Sequence, residues 1–341
     1  VIEEVDDKLV IEWKGENIGK YGVYLLKKIN AEHFETIREI SSVLNTKIHY
    51  MGIKDTNAIT YQIVYIDSRF KEVKVQEYLG KNFELKFIGF SNKKFKHNGN
   101  TFIITIDTSK SEELRERVKR IAEEVYIPAY IGYQRFGTVR PITHVIGKLL
   151  LQRRFCDALF TILGYPYLNE SETLRKFRKK VMDNELKEAL EILPKKFKQE
   201  RILLKNYLVT GNCFKTLKAS IVPLSFYAEA YQSYLFNKYL SRKIDQLKKS
   251  EDKDSIELKI PTYYGDCDET CKEIFIEEGI ERDFFKLDLF KIKLKSFKRK
   301  AFMKVRKISI RENTIEFSLD RGMYASIVLR EVLRGDPRRF T

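Results

Sequence analysis

Two short stretches of the chain bring together residue types that do chemistry. The first runs Gly52-Ile53-Lys54-Asp55-Thr56-Asn57-Ala58-Ile59-Thr60-Tyr61-Gln62. Asp55 directly follows Lys54, in a polar turn between two segments of strand-like composition. Lys, Asp, Thr and Asn are ordinary turn residues, so a plain hairpin turn is one reading. The other is a carboxylate held on a rigid scaffold beside an ammonium group, which favours its ionised form. An ionised, partly desolvated Asp is a usable nucleophile or general base. The second stretch is Ile127-Pro128-Ala129-Tyr130-Ile131-Gly132-Tyr133-Gln134-Arg135-Phe136-Gly137. It packs glycines, aromatics, a Gln and an Arg closely. Glycine lets a backbone approach a ligand, and an Arg between aromatics suits stacking and phosphate contact. A structural turn leading into a strand is the plainer alternative.

These stretches need elements to hold them. Residues 32–45 carry Phe34, Ile37, Ile40, Val43 and Leu44 at helical spacing. Residues 47–53 and 58–66 read as strands on either side of the Asp55 turn, the latter rich in β-branched and aromatic residues. Residues 84–90 and 101–106 predict two more strands. Ser109 and Glu112 form a candidate capping box. It opens a helix with Leu114, Val118, Ile121, Ala122 and Val125 on one face, stopped by Pro128. Residues 145–250 read as mostly helical, strand-like material returns near 286–294 and 300–320, and a helix over 323–334 closes the chain. A helical block between two α+β stretches predicts an insertion into a first domain rather than two domains in tandem.

The chain has 341 residues and a formal net charge of +16, with 43% hydrophobic and 13% aromatic residues. That aromatic and aliphatic content excludes a disordered tail, and the charge favours a polyanionic partner. Basic runs such as Arg175–Lys180, Lys195–Lys198 and 295–307 contain Phe177, Phe197, Phe297 and Phe302. A cationic groove with interleaved aromatics can track phosphates and stack bases; the same Phe residues also suit core anchors. No stretch approaches the roughly 20 apolar residues of a bilayer span. No secretory-signal pattern opens the sequence, which begins at Val1. Four cysteines, Cys156, Cys213, Cys267 and Cys271, are too few for a disulfide framework at this length, and a reduced cytoplasm is expected. Four scattered histidines do not suggest a structural metal. The Lys-, Ile- and Glu-rich composition is compatible with heat adaptation.

A strand-end Asp is also the nucleophile of haloacid-dehalogenase-type phosphatases, in D-x-D-x-T/V patterns. Here the second Asp is Asn57, which removes a Mg²⁺ ligand and an acid/base group, and the short βαβ crossover of that fold is missing. A closer resemblance covers most of the chain. G-x-K-D-x-x-A-x-T-x-Q over residues 52–62 is similar to the signature of the TruD family of tRNA pseudouridine synthases. Residues 128–137 resemble that family's P-N-Y-F-G-x-Q-R-F-G motif. Arg140-Pro141-Ile142-Thr143-His144-Val145-Ile146-Gly147-Lys148 resembles its R-P-x-T-H-x-x-G-K continuation. Further matches are Tyr231-Gln232-Ser233-Tyr234-Leu235-Phe236-Asn237, Gly322-Met323-Tyr324-Ala325-Ser326-Ile327-Val328-Leu329-Arg330-Glu331 and, near the start, the K-x-N element at Lys28-Ile29-Asn30.

The resemblance implies an α+β fold. A pseudouridine-synthase-like catalytic domain with a mixed, largely antiparallel sheet would span 1–137 and 305–341, and a mainly helical insertion domain 138–304. It implies conversion of uridine to pseudouridine in tRNA, most commonly at uridine 13 of the D-arm, in the cytoplasm. No metal or other cofactor, no membrane and no protein partner are implied, and a monomer is expected. The family's catalytic Asp falls on Asp55. Its implied role is attack on the sugar C1′ or the base, or stabilisation of a glycal-type intermediate. Lys28 matches the basic residue that charge-pairs with that Asp, and Lys54, Tyr130, Ile131, Gln134, Arg135 and Phe136 are implied RNA-binding positions. The family's Asn and Phe that hold the target nucleotide are Ala129 and Ile131 here. Ile131 offers apolar contact but no π-stacking, and Ala129 has no side-chain hydrogen bond to give. A catalytically silent RNA-binding protein or chaperone is the competing reading; it makes Asp55 dispensable, and the retained 52–62 signature argues against it.

Overall fold

The computed structural model describes residues 1–107, 111–124, 126–168, 170–281 and 283–335. The chain forms two compact units. The first comprises Val1–Ile127 and Lys304–Ala325, the second Pro128–Met303 and the stretch from Ser326. Residues 128–137 and the last helix from Ser326 therefore group with the helical block, a different division from 138–304.

The first unit is built on a ten-stranded sheet among the described residues. Its main strands are β1 (Ile2–Val5), β2 (Tyr21–Ile29), β3 (Ile59–Asp67), β4 (Phe83–Ser91), β5 (His97–Thr105), β6 (Arg306–Arg311) and β7 (Thr314–Asp320). They lie in the order β6-β7-β5-β1-β3-β2-β4, followed by the short strand Glu77–Leu79. β1 and β3 are parallel, and the other pairs are antiparallel. The sheet is thus mixed and largely antiparallel, as the resemblance implies.

Strand alternation sends successive side chains to opposite faces. On one face Tyr24, Leu26, Val64, Ile66 and Leu85 pack against Ile40 and Leu44 of helix α1 (His33–Leu44). On the other, Val5, Val23 and Ile63 form a second cluster with Val10. Lys28 continues the Tyr24–Leu26 face and stands opposite Thr60 in the register of β2 on β3. Its position in a helix-covered layer follows from its parity in the strand. Asn30 then takes a left-handed conformation with φ 49°, which Asn tolerates, and turns the chain towards α1.

The expected strand over 47–53 is only the two residues His49–Tyr50. The chain leaves the sheet there, and Lys54 turns inward instead of continuing a ladder. Helix α2 (Ser111–Glu124) buries Leu114, Val118 and Ile121 as its spacing predicts. Ser109 of the capping box and Val125 lie outside the described residues.

The second unit is mainly helical. Its helices are α3 (Thr143–Leu151), α4 (Phe155–Gly164), α5 (Glu172–Met182), α6 (Leu186–Ile192), α7 (Lys198–Thr210), α8 (Cys213–Lys218), α9 (Leu224–Leu247), α10 (Glu269–Glu278) and α11 (Ala325–Leu333, in this unit from Ser326). α3 packs closely on α9 at Gly147: a Cβ there would stand 1.9 Å from the Tyr227 carbonyl oxygen. That contact accounts for the glycine of the R-P-x-T-H-x-x-G-K stretch. Arg140 of the same stretch donates to the carbonyls of Thr161 and Ile162 at the end of α4, satisfying acceptors a helix C-terminus leaves open.

The basic run over 175–180 is not simply a solvated face. Phe177 and Arg178 are both buried, and Arg178 bonds to Glu170 and to the carbonyls of Ile162 and Leu163. Phe302 is buried as well. The cysteines correct the expectation of reduced thiols: Cys156 pairs with Cys213, and Cys267 with Cys271. The first pair joins residues 57 apart in sequence, brought together by α4 and α8, and no local spacing announces it.

Candidate active site

Asp55 sits in the irregular stretch before β3 with its side chain exposed. Among the described residues its carboxylate takes no hydrogen bond. The main chain beneath it is held from two directions. Lys28, fully buried, donates from Nζ to the carbonyls of Ala31 (2.9 Å), Lys54 (3.4 Å) and Asp55 (3.5 Å). Lys54 is also buried: its Nζ lies 2.8 Å from Glu3 Oε1 and donates to Asn100 Oδ1 at 2.6 Å. Glu3, on β1, uses its other oxygen to accept the Ile63 N–H at 3.0 Å. His97 Nε2 donates to the Gly99 carbonyl at 3.0 Å and stands 3.7 Å from Glu3 Oε1.

This geometry changes two sequence-based assignments. Lys28 makes no salt bridge to the Asp55 carboxylate; it grips the Asp55 main chain, because its strand parity aims it into the helix-covered layer. Burial pushes its pKa down, while the charges of Glu32 and Asp55 act in the opposite sense. Lys54 offers no ammonium to RNA at the surface, since Glu3 and Asn100 hold it inside. The neighbouring His33, the first residue of α1, is buried against Tyr50, and burial with the Lys28 charge nearby lowers its pKa to about 4. It is neutral at pH 7.

The second unit holds a cavity of about 400 Å³. Tyr130, Ile131, Tyr133 and Phe136 line it from the second motif, together with His144, Tyr234, Asn237, Ser326 and Arg330. Four stretches that resemble the family's motifs therefore converge on one wall system. Asn237 fixes the Ile131 main chain from both sides, accepting its N–H at 2.8 Å and donating to its carbonyl at 2.9 Å. His144 stacks on Tyr234 with centroids 4.9 Å apart and meets the Phe136 ring edge-on. The Arg330 guanidinium stands 5.4 Å from the Tyr130 ring centroid, within cation–π range.

Gln134 and Arg135 do not line the cavity. Gln134 Oε1 accepts from the Ser326 hydroxyl at 3.0 Å, and Arg135 pairs with Glu229 at 2.9 Å while lying over the Phe226 ring. Both shape the site from behind. Sequence reasoning did not single out His144, Tyr234, Asn237 or Arg330 as lining residues, although each stands in a motif quoted above. Ala129 is fully buried and its N–H donates to the Ala301 carbonyl, so this position serves packing here.

Lys238, also on the cavity wall, is held by Glu278, which accepts from Lys238 (2.7 Å), Lys148 (2.7 Å) and Tyr231 (3.0 Å). Burial alone would raise the Glu278 pKa; the hydrogen bonds outweigh it and bring it from 4.5 down to about 2. A carboxyl with a depressed pKa stabilises the fold above its unfolded pKa, and that contribution fades as pH falls. Glu278→Gln is expected to cost about 2 kcal/mol near neutrality, discounted because both lysines are partly exposed. The gap between the variant and the native chain should close between pH 4.5 and about 2. Urea unfolding followed across that range checks it, and a gap constant with pH would refute it.

A family model described as tRNA pseudouridine synthase D (TruD) matches residues 1–262. The "Probable tRNA pseudouridine synthase D" of Saccharolobus solfataricus is 52% identical over 100% of this chain and 91% of its own length. The protein of the same description from Sulfurisphaera tokodaii is 50% identical over 100% and 93%. The fold is similar to the Methanosarcina mazei TruD crystal structure, with a TM-score of 0.69 at 23% identity over 98% of this chain and 91% of that one. With the family model spanning well over half the sequence and relatives matching it from end to end, this chain belongs to the TruD family of tRNA pseudouridine synthases.

Proposed function

We propose that this chain isomerises uridine to pseudouridine at position 13 of the tRNA D-arm, with Asp55 as the nucleophile. Membership of the family makes it a pseudouridine synthase, an isomerase; the target uridine and the role of Asp55 are the proposal. The observation that carries it is an exposed carboxylate, without a hydrogen bond among the described residues, on a main chain pinned by two buried lysines. A nucleophile must be free at its oxygens and fixed at its backbone, and Asp55 meets both conditions.

In the isomerisation the N1–C1′ bond breaks and a C5–C1′ bond forms. The C5 hydrogen leaves as a proton and N1 gains one, so nothing is oxidised or reduced. The target base must leave its stack, at a cost of a few kcal/mol. The second unit by itself carries a cavity of about 400 Å³ with aromatic walls from Tyr130, Tyr133 and Tyr234, a size that suits an unstacked RNA base. These rings offer aromatic faces where Ile131 offers none. The net charge of +16 supplies phosphate attraction along the RNA. The same proposal puts the work in the cytoplasm, where tRNA is abundant.

The test uses tRNA transcripts tritiated at uridine C5, incubated with the native chain. Tritium release is expected from a transcript carrying U13, and release should stop when U13 is replaced by C while other uridines remain. Release that survives the replacement moves the target elsewhere. Binding of every tRNA without release would make the chain an RNA-binding protein that has lost turnover.

A further inference from the structure

We propose that Glu3 is a positioning residue for Asp55, acting through the side chain of Lys54. The inference rests on the reading of Asp55 as the nucleophile and adds the device that fixes its place. Lys54 immediately precedes Asp55, so wherever its side chain is anchored, the Asp55 backbone must follow.

Glu3 is fully buried in the middle strand region, on β1, and the Lys54 ammonium stands 2.8 Å from its Oε1. Its other oxygen is committed to the Ile63 N–H on β3, so the carboxylate cannot swing away. Asn100 on β5 takes a second ammonium proton of Lys54 at 2.6 Å. One side chain of the catalytic loop is thereby tied to three strands, β1 and β5 directly and β3 through Glu3. On the opposite side the carbonyls of Lys54 and Asp55 accept from Lys28, which belongs to β2. The loop has little ladder of its own, since the strand before it ends at Tyr50. Its order comes from these buried charges.

The pairing also explains why two cations can be buried so close to each other. An isolated ammonium in the interior is strongly disfavoured. Glu3 balances Lys54, which leaves Lys28 to be satisfied by carbonyl oxygens alone.

A merely structural role and a positioning role diverge in a charge-removing pair of variants. Breaking a buried ion pair from one side leaves a bare charge, whereas removing both partners is close to neutral for stability. Glu3→Gln, Lys54→Met and the double variant would be compared for thermal midpoint, tRNA affinity, single-turnover tritium release and amide exchange of residues 52–58. Each single variant is expected to lose stability and about 10- to 100-fold in rate, the size of effect a misplacement of about 1 Å produces. Affinity for tRNA should stay within about twofold. The double variant should recover the thermal midpoint and not the rate, with residues 52–58 exchanging faster while α1 stays protected.

Recovery of the rate along with the midpoint, or unchanged exchange in the loop, would overturn the proposal. If the native chain releases no tritium, the reading of Asp55 fails, and the exchange measurement still decides whether Glu3 orders the loop. Should Glu3→Gln fail to fold, Asn100→Ala removes only the second partner of Lys54. A partial loss of rate is then expected, and a native rate with native exchange counts against the anchor.

Discussion

Asp55→Asn should reduce tritium release by about 10⁴-fold or more, as loss of a nucleophile does in enzymes that depend on one, while tRNA affinity changes by no more than about twofold. The substitution keeps the shape of the side chain and removes the anionic oxygen that attacks. The native side chain is exposed and makes no hydrogen bond among the described residues, so no hydrogen bond there is lost with its charge. Stability is expected to change by less than about 0.5 kcal/mol, the range for surface sites without special contacts. The held groups are the main-chain carbonyls on Lys28, and Asn leaves these in place. Single-turnover release and filter binding, measured on the same preparation, check both halves. A variant retaining a tenth of the native rate would remove Asp55 from the nucleophile's role. One that loses affinity in proportion to rate would make it a binding residue.

The second large effect concerns stability. Replacing Cys156 and Cys213 by Ser and Ala should lower the stability of the helical unit by about 4 kcal/mol, from the chain entropy of a closed loop of this length. The bond spans 57 residues, from α4 to the start of α8. The Cys267–Cys271 bond closes only 4, so its removal should cost about 2 kcal/mol on the same argument. In a unit of this size the first loss corresponds to a fall of about 10 °C in the thermal midpoint. Calorimetry with and without reductant on the native chain and both variants separates the two bonds. If reductant leaves the midpoint unmoved, the cysteines carry no load. Because disulfides also occur in intracellular proteins of hyperthermophiles, the two pairs by themselves set no compartment.

Much of the site was readable from residue order, and the reasons differ by element. Helix α1 and strand β3 show their periodicity openly, since each buries one face against the other. The cavity lining in the second unit was present in the motif stretches, which fold onto α3, α9 and α11. Glu3 was not readable. Adjacent Glu3 and Glu4 look like solvated acids at a chain start, yet strand alternation sends them to opposite faces and both are buried, Glu3 on Lys54 and Glu4 on Thr101 and Arg306. Their partners lie between about 50 and 300 residues away, beyond any local pattern. The same holds for Cys156 and Cys213. Lys28 and Lys54 were recognised as important, but whether they face RNA or the interior depends on strand parity and on where the strand before Asp55 stops.

The order of strands in the first sheet sets a timetable for synthesis. β7 pairs with β5 along its length, from Thr314 opposite Thr105 to Asp320 opposite Gly99. On the ribosome β5 emerges long before β7 exists. At about 5–20 residues per second, the roughly 200 intervening residues take on the order of 10–40 seconds. Throughout that interval β5 presents a row of open N–H and C=O groups to other nascent chains. Most of the helical unit is made during the wait, and β6 and β7 follow it. The unit that carries Asp55 is therefore completed only after the helical unit has been made.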